Sequence, residues 1–373
     1  MDQLLTTLWS RGGWFRAFTP PSPPDNAPQA PQTPQGTPIL DVPSDVLLLI
    51  GDYLNDAELL SLKLACRSTY ALFPQTYKSL PPYLKKRFLP IIEKDPLGKG
   101  TVYCHVCNRL HPFNETTGPQ SGPELGVVDG KGHKCMSRDR FSPAGNPFSL
   151  SYTHARLAMN RHLYGPEYGI PLANLCTEQS ERRDLVTMRC STSAKIMDDE
   201  LFLQRTYALT VARRDVAEFR NRTGARDIKL CEHTSLFPAS SPFRQSILEL
   251  LKKPAAGGDG LVPCREAPGS CGLCLMDYDI TIQPCADESY SIVIRAIHQL
   301  GSCRSPRDWK WARFSESYRI HIFYPSRPNR RGSTYSPGSL HKRWDDDERE
   351  ACAVLGGRSG SAVTGLFGLS LFS

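Results

Sequence analysis

Thirteen cysteines and nine histidines lie in this chain, and several are spaced for metal binding. Cys104-x-x-Cys107 is a knuckle, in which two thiolates separated by two residues can face one ion across a tight turn. His111 follows, and His133-x-Cys135 returns after a Gly/Pro-rich stretch from Gly118 to Gly132. Cys104, Cys107, Cys135 and one of His111 or His133 would close a tetrahedral zinc site with no open coordination position. His111 is the better fourth ligand, because His133 and Cys135 are close together for both to ligate without strain. A second set, Cys231-x-His233 with Cys271-x-x-Cys274, offers the same donors, three thiolates and one imidazole, over a longer gap, with Cys264 and Cys285 nearby as competitors. A third arrangement joins the two knuckles in one all-cysteine site and requires a long chain closure. The plainer alternative is free thiols in core turns. That is the default for the scattered Cys66, Cys176, Cys190, Cys303 and Cys352.

Catalytic spacings are missing. The chain has no GxGxxG, no GxxxxGK[ST] and no GxSxG. His154 and His162 stand two helical turns apart, too far for an i, i+4 metal pair, and no Glu adjoins His154 as in HExxH. They read as hydrogen-bonded groups anchoring a helix end. The run Asp345-Asp346-Asp347-Glu348 reads as solvated charge. Trp309 and Trp311 alternate as on one face of a short extended segment, beside Arg304, Arg307, Lys310 and Arg313. Such a pair can stack on a ligand or close the edge of a core, and both tryptophans are candidates for target contact. The reading is therefore a protein without catalysis of its own.

The formal charge is +7, without a block of five or six consecutive basic residues. This permits nucleic-acid contact without arguing for it. No secretory signal opens the chain, and no apolar stretch is long enough to span a bilayer. A soluble protein of a reducing compartment, cytoplasmic or nuclear, is expected, and clustered thiols there favour metal over disulfides.

The elements that must position these residues divide the chain into four. Residues 1–38 are expected to be disordered, since 19–38 are too Pro-rich for helix or sheet. Residues 39–75 form a helical hook, 76–325 an α+β body, and 326–373 a disordered, Arg/Gly/Ser/Asp-rich tail. In the body, Tyr83 to Phe88 fits a short helix limited by Pro90 and Pro96. Residues 153–164 have helical phase, with Thr153 as N-cap and Gly165-Pro166 as stop. Residues 180–200 are charged and Ser/Thr-rich. From 201 the period shifts toward two: Leu201 to Leu203, Tyr207, Leu209 and Val211, then Tyr278, Ile280 and Ile282, then Ile292 and Ile294, then Tyr318 to Tyr324. A mixed helical and antiparallel-sheet body, tied by zinc, is the expected fold class.

In the hook, Val42-Pro43 precedes a helix start for which Ser44 is the cap and Asp45 the dipole partner. Val46, Leu47, Leu49, Ile50 and Leu54 recur at helical spacing, and Asn55-Asp56 breaks the pattern and caps a second helix, Ala57 to Leu64. Cys66-Arg67 and Tyr70 to Phe73 close a third turn. The hook carries more large aliphatics than it can bury alone. The order Val42-Pro43, Asp45, Val46 to Ile50, Tyr53-Leu54, Asn55-Asp56, Leu59-Leu60, Leu62, Leu64, Cys66-Arg67 and Tyr70 resembles the F-box. Val42 stands where Leu is usual, and Tyr70 where Trp is often found. More widely, YCHVCNRLHPF, THARLAMNRHLYGPEYGIPL, LCEH, CGLC and LGSCRSPRDWKW make residues 40–315 similar to F-box domain proteins of filamentous fungi.

The resemblance implies a three-helix F-box docked on the Skp adaptor, which connects to cullin and a RING subunit in an SCF-type ubiquitin ligase. The body would then bind a protein target, and the chain would act by proximity. Docking would fall to Val42, Pro43, Leu47, Ile50, Leu54, Leu60, Leu64 and Cys66. Two alternatives stay open: a zinc-stabilised nucleic-acid-binding protein, and an F-box scaffold acting outside a ligase.

Overall fold

The computed structural model describes residues 41–73, 80–116, 118–119, 140–143, 148–183, 185–220, 228–236, 245–247, 260–271, 274–315 and 336–356. Residues 1–38, His133, Cys135 and the strand expected over 318–324 lie outside them. The chain forms two compact units, ending and beginning at Pro112 and Phe113.

The first unit opens with three short helices: α1 (Ser44–Tyr53), α2 (Asp56–Ala65) and α3 (Arg67–Leu72). Pro43 is already extended (φ −54°, ψ 143°), so the helix starts at Ser44, and Pro43 rather than Ser44 occupies the cap position. Asn55 caps α2 through a reciprocal box: its side chain accepts from Ala57 N–H (3.0 Å) and Glu58 N–H (3.3 Å), and Glu58 accepts from Asn55 N–H (3.0 Å). Cys66 caps α3, with its sulfur accepting from Thr69 N–H at 3.5 Å. Helix α4 (Pro82–Ile92) runs through Pro90 instead of stopping at Phe88. Leu84 and Phe88 are buried in a cluster with Ala57, Leu60 and Leu80, and Ile91 and Ile92 extend that contact. This packing outweighs the one helical hydrogen bond that Pro90 cannot donate. A hairpin of β1 (Thr101–Cys104) and β2 (Arg109–Pro112) follows.

The second unit centres on a six-stranded antiparallel sheet. The short pair β3 (Arg140–Phe141) and β4 (Leu150–Ser151) leads into α5 (Tyr152–Tyr164). Ser151, not Thr153, caps α5: its hydroxyl accepts from His154 N–H at 3.2 Å, and Thr153 lies buried inside the helix. Gly165 ends α5 at φ +105°, where a side chain would be strained. Strands β5 (Thr177–Arg183), β6 (Val186–Met197) and β7 (Glu200–Ala212) precede α6 (Val216–Arg220). A small parallel pair, β8 (Thr234–Ser235) and β9 (Gln245–Ser246), is followed by β10 (Cys264–Ser270), β11 (Met276–Pro284) and β12 (Ser289–Gly301). The sheet order is β10-β11-β12-β7-β6-β5. Odd residues of β7, among them Leu203, Arg205, Tyr207 and Leu209, share one face with His298, Ala296 and Ile294 of β12. The one-turn helix α7 (Trp309–Ala312) abuts β12, and Trp311 packs edge-on to Tyr152 of α5 at 5.5 Å.

The other face carries α8 (Ser339–Gly356), inside the segment expected to be a disordered tail. Leu340 and Trp344, one turn apart, are buried against Met197, Phe202 and Ile297. The acidic run is paired rather than merely solvated: Asp345 meets Arg295 (3.2 Å), and Asp347 and Glu348 meet Lys195 (3.0 and 3.3 Å). Buried Asp277 accepts from Leu340 N–H at 2.9 Å, anchoring the first turn of α8. Among the described residues no helix is long and apolar enough to cross a membrane.

Candidate metal centre

Cys271 and Cys274 flank the turn between β10 and β11. Cys271 N–H donates to Met276 O and Met276 N–H to Cys274 O, both at 2.9 Å, so the turn closes on its own backbone. Cys231 and His233 sit at the tip of a second tight turn. There Leu230 N–H donates to Thr234 O (2.9 Å) and Leu236 N–H to Ile228 O (2.8 Å). The two turns bring all four candidate side chains together. Their ligating atoms lie within 4.8 Å of one another, and all four residues are buried.

The turns meet because β12 holds both. Gln299 N–H donates to Leu275 O at 3.0 Å, beside Cys274. The His298 ring has Leu230 O at 3.0 Å, beside Cys231, and Leu203 O at 3.3 Å on the neighbouring strand. Phe141 and Phe314 pack on that ring at 4.9 and 5.5 Å. Burial, with the nearby charge of Arg205, pushes His298 down to about 4. Neither His298 nor Gln299 is singled out by sequence spacing, since each acts through a carbonyl far away in the chain.

The three thiols do not ionise alike. Hydrogen bonds from Cys231, Cys274 and then His233 hold Cys271 well below the ordinary thiol range. Burial pushes Cys231 and Cys274 well above it. Three thiolates cannot coexist in so dry a space without a cation. A divalent ion lifts that restriction, because a coordinated thiol is ionised outright. The buried Nδ1 of His233 has no hydrogen-bond partner among the described residues. Three sulfurs, one imidazole and an orphaned ring nitrogen fit a closed metal site, and this buried cluster of three cysteines and one histidine could hold a metal ion. Cys264 and Cys285 stand outside it: Cys264 donates to Ile280 O at 3.6 Å, and Cys285 is exposed.

In the first unit the hairpin turn brings Cys104, Cys107 and His111 within the same 4.8 Å. Asn108 makes the turn at φ +52°, its N–H donating to Cys104 O at 2.9 Å. Cys107 Sγ and His111 Nε2 are 2.9 Å apart. Hydrogen bonds from Cys107 and His111 bring the Cys104 thiol down to about 3, against the effect of burial. Each knuckle thus gathers with a histidine of its own unit.

The tryptophan pair separates. The segment is a helical turn, not a strand, so Trp309 and Trp311 diverge; Trp311 is buried in the core and Trp309 is exposed. Trp311 therefore cannot contact a target. The two histidines of α5 also part: exposed His162 meets Asp199 at 2.8 Å, whereas His154 is buried with neither ring nitrogen hydrogen-bonded among the described residues, contrary to the satisfied role expected of it.

Of the expected docking residues, Leu47 and Leu60 are buried, Pro43 and Ile50 are exposed, and Val42, Leu54, Leu64 and Cys66 are half-buried. The exposed apolar stripe of α1 is instead Val46, Leu49, Ile50 and Tyr53, with fractional exposures of 43, 57, 42 and 84%. No family model matches the chain, and neither a curated protein nor a solved structure matches it.

Proposed function

We propose that this chain is a substrate-recognition adaptor of an SCF-type ubiquitin ligase. Its α1–α3 hook docks as an F-box on the Skp adaptor, and its α+β unit, stabilised by structural zinc at Cys231, His233, Cys271 and Cys274, presents the target-binding surface. The observation that carries this reading is the α1 stripe. Positions 46, 49, 50 and 53 repeat at helical spacing, so four large apolar side chains line one exposed helix face. A helix laid in a partner's apolar groove needs such a face. Leu47 and Leu60 serve the hook's own packing in this reading. The chain performs no bond chemistry and acts by holding a target near a loaded conjugating enzyme. Zinc would fix the two ligand turns against β12, supplying stability and no reaction.

The test is co-purification with the Skp adaptor. The triple variant Leu49→Ala/Ile50→Ala/Tyr53→Ala is expected to lose binding while its unfolding free energy moves by less than about 1 kcal/mol, since the removed groups face solvent. Binding equal to wild type would overturn the proposal.

A further inference from the structure

Arg205 lies in the middle of β7 with no exposed surface. An arginine cannot discharge itself by losing its proton. A buried guanidinium therefore calls for a carboxylate or another anion, and among the described residues none pairs with it. Among the described residues its Nε and Nη1 have no hydrogen-bond partner. Nη2 reaches only the sulfur of Cys190, at 3.9 Å. Three rings surround the charge: Phe148 at 5.1 Å, Tyr207 at 5.2 Å and Phe141 at 5.6 Å from the guanidinium carbon. Ring faces attract a cation, but they accept no conventional hydrogen bond and carry no net charge.

Thr192 is the cross-strand neighbour of Arg205 on β6. It is buried too, and among the described residues its hydroxyl has no hydrogen-bond partner. The spot thus offers guanidinium N–H groups and a hydroxyl, and the missing group is one that accepts and is negative. We infer that Arg205 and Thr192 bind a small monovalent anion, a halide or the carboxylate of a small molecule, inside the aromatic cage of the sheet's inner face. This site is separate from the metal centre and independent of the adaptor proposal. The guanidinium is sealed from solvent, so exchange requires local opening and the anion is best supplied during refolding.

The test refolds the full chain at constant ionic strength in chloride, bromide, formate or acetate, against gluconate as a bulky anion. Wild-type Tm is expected to rise saturably with one of the small anions, by about 5–10 °C at one hundred times its dissociation constant. Saturation by chloride and bromide alone would identify a halide, and by formate or acetate a carboxylate. Thr192→Val should weaken the apparent affinity several-fold, and Arg205→Met should abolish the response. Should Arg205→Met fail to fold, crystals grown in bromide decide the halide case and crystals grown in formate the carboxylate case. Anion density on Nε or Nη1 supports the site. A wild-type Tm indifferent to the small anions, with no density at the guanidinium, would overturn it and leave the charge to the rings and Cys190.

Discussion

Cys271→Ser distinguishes a metal centre from a cluster of core thiols. The variant is best made in a Cys104→Ser background, so that the first cluster does not contribute to the metal content. Structural zinc supplies roughly 10–16 kcal/mol in small zinc-dependent folds, comparable to the roughly 5–15 kcal/mol that holds a whole domain folded. A variant that empties the site forfeits that contribution, and a loss of even about 3 kcal/mol lowers Tm by about 6–12 °C in a domain of this size. Stability alone is not decisive, because a serine in a dry core also costs about 1–3 kcal/mol. Metal content and proton release are decisive. The Cys104→Ser chain is expected to hold one equivalent of zinc by elemental analysis, and addition of Cys271→Ser to remove it. Chelation should lower the Tm of the first protein toward that of the second, short of it by the serine's own cost, and should leave the second unchanged. With Cys271 held ionised and Cys231 and Cys274 held neutral, loading near pH 7 should release about two protons from the thiols, not three. Calorimetry in buffers of different ionisation enthalpy counts them. Absence of zinc from the parent, with a Tm indifferent to chelator, would refute the metal centre. Release of three protons would refute the account of the thiols.

Two further perturbations probe the second unit. Burial and then the charge of Arg140 push His154 down to about 4, against 6.5 for the free side chain. Its folded value is the lower one, so the stability it permits is full above pH 6.5 and drains away as pH falls toward 4, reaching roughly 3 kcal/mol. Urea unfolding at pH 7 and pH 4.5 should show His154→Leu losing less stability on acidification than wild type. Trp344→Ala empties the α8 contact with Met197, Phe202 and Ile297 and should cost about 3–5 kcal/mol. A loss below about 1 kcal/mol in thermal unfolding would mean that α8 does not depend on that contact.

What could be read from the residues follows the range over which each interaction acts. The Asn55 cap, the Gly165 stop and the Cys-x-x-Cys knuckles are local, and the sequence displays them. Pairing Cys231-x-His233 with Cys271-x-x-Cys274 succeeded because each half is itself a tight turn with its ligands fixed nearby. Strands β5 and β6 were hidden by composition. Val186, Met188 and Cys190 alternate as buried residues, but Thr187 and Arg189 between them and the Ser and Lys that follow read as a polar loop. A period of two was there, and weighting alternation above polarity would have found β6.

Helix α8 fails for a different reason, and so do Arg205 and His298. Its two apolar anchors are too few for a periodic signal, and its other contacts include charges matched to Lys195, Asp279 and Arg295 and a backbone N–H given to Asp277, all far away in sequence. Composition counts each such charge as a reason for solvent, yet Asp279 is held below the ordinary carboxylate range by His341 and Arg295 despite its burial. The sign of a charged residue's contribution is set by what faces it across the sheet. A tail rich in Asp and Arg is therefore indistinguishable from a docked helix until the strands are placed. The same logic makes Arg205 the informative exception: the fold supplies counter-charges for the outer face, and none of the described carboxylates pairs with Arg205 on the inner one.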